Sequence, residues 1–189
     1  MTEQRGLPTA PRLRLMLRAD LARIDLGGWV AILCAFATRP GARAVIIYRI
    51  QVKCEVLGFK RVARLLCAAN GVLNGCELMV GCSFGPGLVL RHPVGVVVGH
   101  KVAVGSNCDL QQGITLGERY GDGSGDHLYP SLGNNVSVGA KASVLGGVKI
   151  GSNVAIGAHA LVLNDVPANS IAVGVPARIV ARAAPRHQP

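Results

Sequence analysis

The sequence predicts a mainly β protein: a parallel β-helix of hexapeptide repeats, about four coils long, behind an N-terminal α-helical segment. A strict six-residue period, glycine just after it, and one polar interruption carry that prediction. Every sixth position reads Val80, Pro86, His92, Val98, Val104, Leu110 and Leu116, then resumes as Leu132, Val138, Val144, Ile150, Ile156 and Val162. Eleven of these thirteen rungs are aliphatic, and nine are followed by Gly. A second small or apolar column lies four places beyond each rung, from Phe84, Leu90 and Val96 down to Val154 and Ala160. Helices repeat at 3.6 residues and amphipathic strands at 2, so neither produces a period of six. A short strand plus a tight turn does.

Before the repeat, Leu13, Leu17, Leu21 and Ile24 recur at spacings of four and three, which predicts an amphipathic helix broken at Gly27-Gly28. A second apolar stretch runs from Trp29 to Ala37 and stops before the breaker Arg39-Pro40-Gly41. Residues 42–70 read as one long amphipathic segment ended by Asn70-Gly71, and Asn74-Gly75 leads into the first coil. The expected organisation is a helical segment over 1–75, a β-helix over 76–166 and a tail over 167–189 that leaves the coil.

Within the β-helix, each six-residue unit makes a flat face, and three units close a triangular coil that stacks on the next at about 4.8 Å. The aliphatic rungs then form a continuous core that no single coil could bury. Glycine after a rung suits a corner of unusual φ/ψ or a close backbone approach. Leu116 to Leu132 is sixteen residues, ten more than the repeat allows, so a polar, Gly-rich segment at about 118–131 must loop out. Long loops on rigid scaffolds are commonly functional.

Composition agrees with this core: 50% of the 189 residues are hydrophobic but only 4% aromatic, as stacked Val, Ile and Leu require. No apolar run reaches the length of a membrane span, and no secretory signal is visible. Six Cys without CxxC or metal spacing read as reduced thiols, so the expected compartment is cytoplasmic and no metal is expected. The net charge of +10 is uneven, with twelve Lys or Arg against four acids in residues 1–75. No stacking aromatics accompany it, which argues against nucleic acid; solvated helix faces, a subunit contact or weak association with an anionic membrane surface account for it better.

A helical segment containing AVIIYRI, then HPVGVVVG, ITLG, the looped-out GDHLYP and a closing VGVPARIV together resemble the serine acetyltransferase-like group of hexapeptide acyltransferases. The resemblance covers roughly residues 40–180. It implies a left-handed β-helix, a homotrimer, and transfer of an acetyl group from acetyl-CoA to a hydroxyl.

One residue stands out from the repeat itself: His92 occupies a place where the pattern calls for Val or Ile. A polar group in an apolar column costs stability unless it is hydrogen-bonded or lies at an opening. The resemblance matches His92 to the family's catalytic His, and imidazole can accept a proton from an alcohol attacking a thioester. The family's orienting Asp, fifteen residues earlier, corresponds to Glu77.

Three positions depart from serine acetyltransferases. Arg91 replaces the Asp suited to an amino group, and Leu128 and Tyr129 replace an Arg-His pair. An Arg there repels serine's ammonium. Glu77 and the altered loop resemble more the exopolysaccharide-type branch, which implies a sugar or other polyol as acceptor. Arg91, His127 and Tyr129 are the candidate acceptor-binding residues; His100 and His159 read as structural or exposed.

By resemblance, acetyl-CoA would lie in a groove between coils of two subunits. Gly139, Ala140, Gly157 and Ala158 would offer backbone groups, and Lys141 and Arg178 would meet phosphates. Serine O-acetylation, N-acetylation of an amino sugar, and a non-catalytic scaffold are the alternatives; a scaffold has no need of His92.

Overall fold

The computed structural model describes residues 10–24, 29–119 and 128–181. Four helices come first: α1 (Ala10–Ala22), α2 (Trp29–Thr38), α3 (Pro40–Val56) and α4 (Lys60–Asn74). Pro40 opens α3, where its missing N–H is no loss. The segment expected to run unbroken over 42–70 is two helices, because Gly58 adopts φ +84 and turns the chain between them. Gly75, in the left-handed region at φ 64, closes α4 with its N–H on Gly71 O. No single helix among the described residues is long and apolar enough to cross a membrane.

The β-helix is left-handed and built from very short strands. Its first coil holds β1 (Glu77–Leu78), β2 (Ser83–Phe84) and β3 (Val89–Leu90); its second, β4 (Val97–Val98), β5 (Ala103–Val104) and β6 (Asp109–Leu110). The third holds β7 (Thr115–Gly117), β8 (Ser131–Leu132) and β9 (Ser137–Val138). The fourth holds β10 (Ser143–Leu145), β11 (Lys149–Ile150) and β12 (Ala155–Ile156), followed by β13 (Leu161–Val162), β14 (Ser170–Val173) and β15 (Arg178–Ala181). The stacks form three parallel faces: β1-β4-β7-β10-β13, β2-β5-β8-β11, and β3-β6-β9-β12-β14, to which β15 adds antiparallel. The coil therefore runs past Val166, since Ile171 still pairs with Ala155 before the chain returns as a hairpin.

Register corrects the sequence reading at one decisive place. Below β4 the expected rungs are buried: Val98, Val104, Leu110 and Leu116 are each at most 5% exposed. In the first coil the inward residues are instead Leu78, Phe84 and Leu90, with Cys76, Cys82 and Leu88 beside them. Leu78 stacks on Val98 and Leu90 on Leu110, each pair two residues further apart than the Val98–Leu116 pair. The two additional residues lie in the corner after β3. Val80 and Pro86 are therefore corner residues, and His92 breaks no rung; it stands exposed in that corner. The slip was invisible because residues two apart on a strand point to the same side. Moving by two exchanges one apolar column for the other.

The first coil would leave its strand carbonyls unpaired, a hazard at any open sheet end. Helix α3 lies across it and supplies donors: Tyr48 Oη to Cys82 O at 3.1 Å, Gln51 Nε2 to Leu78 O at 3.0 Å, and Arg49 to Phe84 O and Gly85 O at 2.9 and 2.7 Å. Arg49 also pairs in two-pronged fashion with Asp20 of α1 at 2.7 and 3.0 Å, both side chains 1% exposed. Asp20 accepts from the N–H groups of Gly87 and Leu88.

Candidate active site

The chain turns from the third face to the first at four stacked corners. From top to bottom they are Arg91–Gly95, Gln111–Gly113, Gly139–Lys141 and Gly157–His159. Backbone hydrogen bonds tie each to the next: Gly113 N to Val94 O, Lys141 N to Gln112 O, and His159 N to Ala140 O, at 2.8–2.9 Å. One edge of the prism thus carries His92 at the top, with Gly139, Ala140, Lys141, Gly157 and Ala158 two and three coils below. At about 4.8 Å per coil that is about 10–14 Å.

The top corner is rigidly built. Pro93, buried, offers its carbonyl to Val96 N at 3.0 Å, and Gly95 at φ +74 places its N–H 2.7 Å from Gly75 O. A Cβ on Gly95 would press on Gly113 Cα at 3.2 Å. His92 is exposed, and among the described residues neither ring nitrogen has a hydrogen-bond partner. Glu77 sits beside this corner, with its N–H on Val96 O, but no hydrogen bond or ion pair joins it to His92. Its charge acts on α4 instead: the Cys67 thiol is pushed up by burial and then by Glu77. The expected Glu77–His92 dyad is not formed.

Arg91 is held in a charged cluster that the sequence reading missed. Its Nε lies 3.0 Å from Asp109 Oδ1, while Arg23 Nη2 takes Asp109 Oδ2 at 2.6 Å. The available signal was an opposite charge eighteen residues on, one regular coil away.

Lower on the edge, glycine and left-handed backbone have separate jobs. Gly139 is required by contact, since a Cβ there would stand 2.6 Å from Ala158 N. The left-handed conformation falls two residues later, on Lys141 (φ 58) and His159 (φ 59). Lys141 is exposed, as expected of a phosphate contact. Gly139 N and Gly157 N are spent on Ile156 O and Ala172 O, and Ala140 N is taken by Gln111 Oε1 at 3.1 Å. Those three residues can still offer a ligand carbonyl lone pairs. Arg178 is exposed on β15, at the lower end of the third face.

The loop leaves from a different edge, between the first and second faces. His127 lies outside the described residues. Tyr129 is half-buried; its hydroxyl donates to Glu118 Oε2 at 3.1 Å, its ring meets His100 edge-on at 4.7 Å, and it closes over Gly99. Leu128 packs on Gly147 at 2.9 Å from the position a Cβ would occupy. Tyr129 thus anchors the loop's root, and the first face separates it from His92 of the same chain.

Residues 129–164 match the bacterial transferase hexapeptide (six repeats) model. The chain is 44% identical over 152 residues to a serine acetyltransferase from Synechocystis sp., covering 80% of this chain and 59% of that protein. It is 38% identical over 146 residues to the serine acetyltransferase of Helicobacter pylori J99, covering 76% and 82%. Among solved structures, serine acetyltransferase from Neisseria gonorrhoeae superposes with a TM-score of 0.80 at 33% identity, over 92% of this chain and 67% of that one. The coenzyme A complex from Brucella abortus gives 0.82 at 27% identity, over 93% and 70%. The chain spans about 60% of the length of the cyanobacterial relatives it matches.

Proposed function

The chain belongs to the serine acetyltransferase family, and from that premise we propose that it transfers the acetyl group of acetyl-CoA to the hydroxyl of a small acceptor, with His92 as general base. The observation that carries this is the placement of His92: exposed, without a partner among the described residues, in the corner of its edge lengthened by two residues, at the head of the edge that bears the candidate coenzyme contacts. In the reaction, imidazole takes the hydroxyl proton as the oxygen attacks the thioester carbonyl. The new C–O bond forms, the C–S bond breaks, and the proton passes to the departing sulfur. Backbone carbonyls of the lower corners and the cations Lys141 and Arg178 suit the pantetheine arm and the phosphates.

The comparisons move the acceptor away from the expected sugar. The relatives and structures reported above are serine acetyltransferases, and none supports the exopolysaccharide branch. Serine is therefore the first acceptor to test. A polyol remains the second reading, because Arg91, Leu128 and Tyr129 still stand where an ammonium and a carboxylate would be met.

The assembly proposed is a cyclic trimer closed through the first face. Its outward strand positions are Glu77, Val97, Thr115, Ser143 and Leu161, with Met79 and Leu145 beside them, and Met79 and Val97 are each 37% exposed; the second face shows Ser83, Ala103, Ser131 and Lys149. In that arrangement one protomer's loop lies against its neighbour's His92 edge.

His92→Ala should lower acetyl transfer by about 10²- to 10⁴-fold, the usual worth of a general base, while coenzyme A affinity stays near its parent value. Thiol release and calorimetric titration with coenzyme A read the two quantities. Near-normal turnover in that variant sinks the assignment.

A further inference from the structure

We infer that Arg91 is the acceptor's anion-binding group, so that the acceptor carries a carboxylate or phosphate beside its hydroxyl and needs no ammonium. This rests on His92 as the base.

Arg91 immediately precedes His92 at the exposed corner, and its side chain is 58% exposed. Asp109 and Arg23, at 21% and 30%, lie deeper. Both carboxylate oxygens of Asp109 are occupied, Oδ2 by Arg23 and Oδ1 by Arg91. Asp109's charge is thus already countered by two guanidinium groups, which weakens its pull on an ammonium. Arg23 is spent as well, on Asp109, on Gly87 O at 2.8 Å and on Cys108 O at 3.4 Å. Arg91 gives one edge of its guanidinium to Asp109, and among the described residues its Nη1 has no partner.

Two cations share one anion, leaving a net positive charge at the corner. Glu77, the nearest acid on the first face, forms no ion pair with Arg91. A cationic acceptor is repelled here and an anionic one is drawn in. Clamping by Asp109 adds a second effect: the planar fork is fixed before the ligand arrives, so little side-chain freedom is lost on binding. At the described root of the loop, on the other edge, Leu128 packs on Gly147 and Arg119 on Gly146.

The test compares five acceptors by thiol release: glycerate, glycerol 3-phosphate, glycerol, ethanolamine and L-serine. At least one of the two anions should exceed glycerol and ethanolamine in kcat/KM by about tenfold or more, the worth of one charge-assisted hydrogen bond. Which anion leads separates carboxylate from phosphate recognition. Arg91→Gln should reduce the ratio of the preferred anion to glycerol by about tenfold, and Arg91→Lys should retain part of it. Arg64→Gln, the same charge change on α4, should leave the ratio unaltered.

Asp109 is a positioning residue. Asp109→Asn should raise KM for the anion with little change in kcat, and Asp109→Glu should recover much of that loss. An unchanged ratio in Arg91→Gln overturns the inference, as does a preference for ethanolamine, for glycerol, or for L-serine over both anions. In both cases transfer itself persists and His92 keeps its role. No thiol release with any of the five overturns this inference together with the function it rests on.

Discussion

Cys76, Cys82 and Cys108 fill inward positions that other coils give to valine or alanine, and each is at most 2% exposed. Burial pushes all three thiols up, Cys76 to about 12 and Cys82 further still. Because the thiolate is the nucleophile, these three should resist alkylation at pH 8, while exposed Cys34 reacts first. Peptide mapping after timed iodoacetamide treatment reads the order; early labelling of Cys82 would contradict the burial. The same shifts fix a pH dependence. A thiol that is harder to ionise in the fold than in the unfolded chain leaves stability constant below the ordinary pKa of 9.0, then removes it as pH climbs toward the raised value near 12. Buried Tyr48, also raised, acts in the same direction. The urea midpoint should therefore hold from pH 7 to 8.5 and fall by pH 10.5.

At the scale of elements, the helical head acts as a lid on the β-helix. Arg49→Met should cost about 3–5 kcal/mol, because it strands the Asp20 carboxylate in the interior. Pairing it with Asp20→Asn should recover part of that loss, and urea unfolding of the three variants measures the coupling. The close packing of α3 gives a second prediction. A Cβ on Gly41 would collide with Leu90 O, one residue before Arg91 and two before His92. Gly41→Ala should lower stability, by an amount typical of overpacking, about 1–3 kcal/mol. It should also reduce acetyl transfer by displacing the corner that holds His92, the proposed base. Full activity with lowered stability would show that the corner is held independently of α3.

For the whole molecule, the separation of His92 from the loop's root has one strong consequence. The two edges flank the first face, so in the proposed trimer a neighbour packed through that face would bring the root of its loop toward His92. Mixing inactive His92→Ala subunits with subunits lacking residues 119–130 should restore part of the activity, because some interfaces regain one intact edge and one intact loop. Native mass spectrometry establishes that mixing occurred. Proven mixed assemblies without activity would place each site within one chain.

The sequence by itself determined the solenoid, its period, its interruption and the family resemblance, because stacking imposes the same inward demand on every coil and each residue answers it locally. The corner glycines could be named for the same reason, whereas His92, which breaks no rung, was reached only through the motif that carries the resemblance. Phase in the first coil was beyond it: Val80 and Phe84 are equally apolar, and two inward columns make a two-residue slip silent. The break at Gly58, the pairing of Asp20 with Arg49, and the Arg23–Asp109–Arg91 cluster join residues many positions apart, so only the packed structure could choose those partners. The period was written in the chain; what surrounds His92 was decided by the fold.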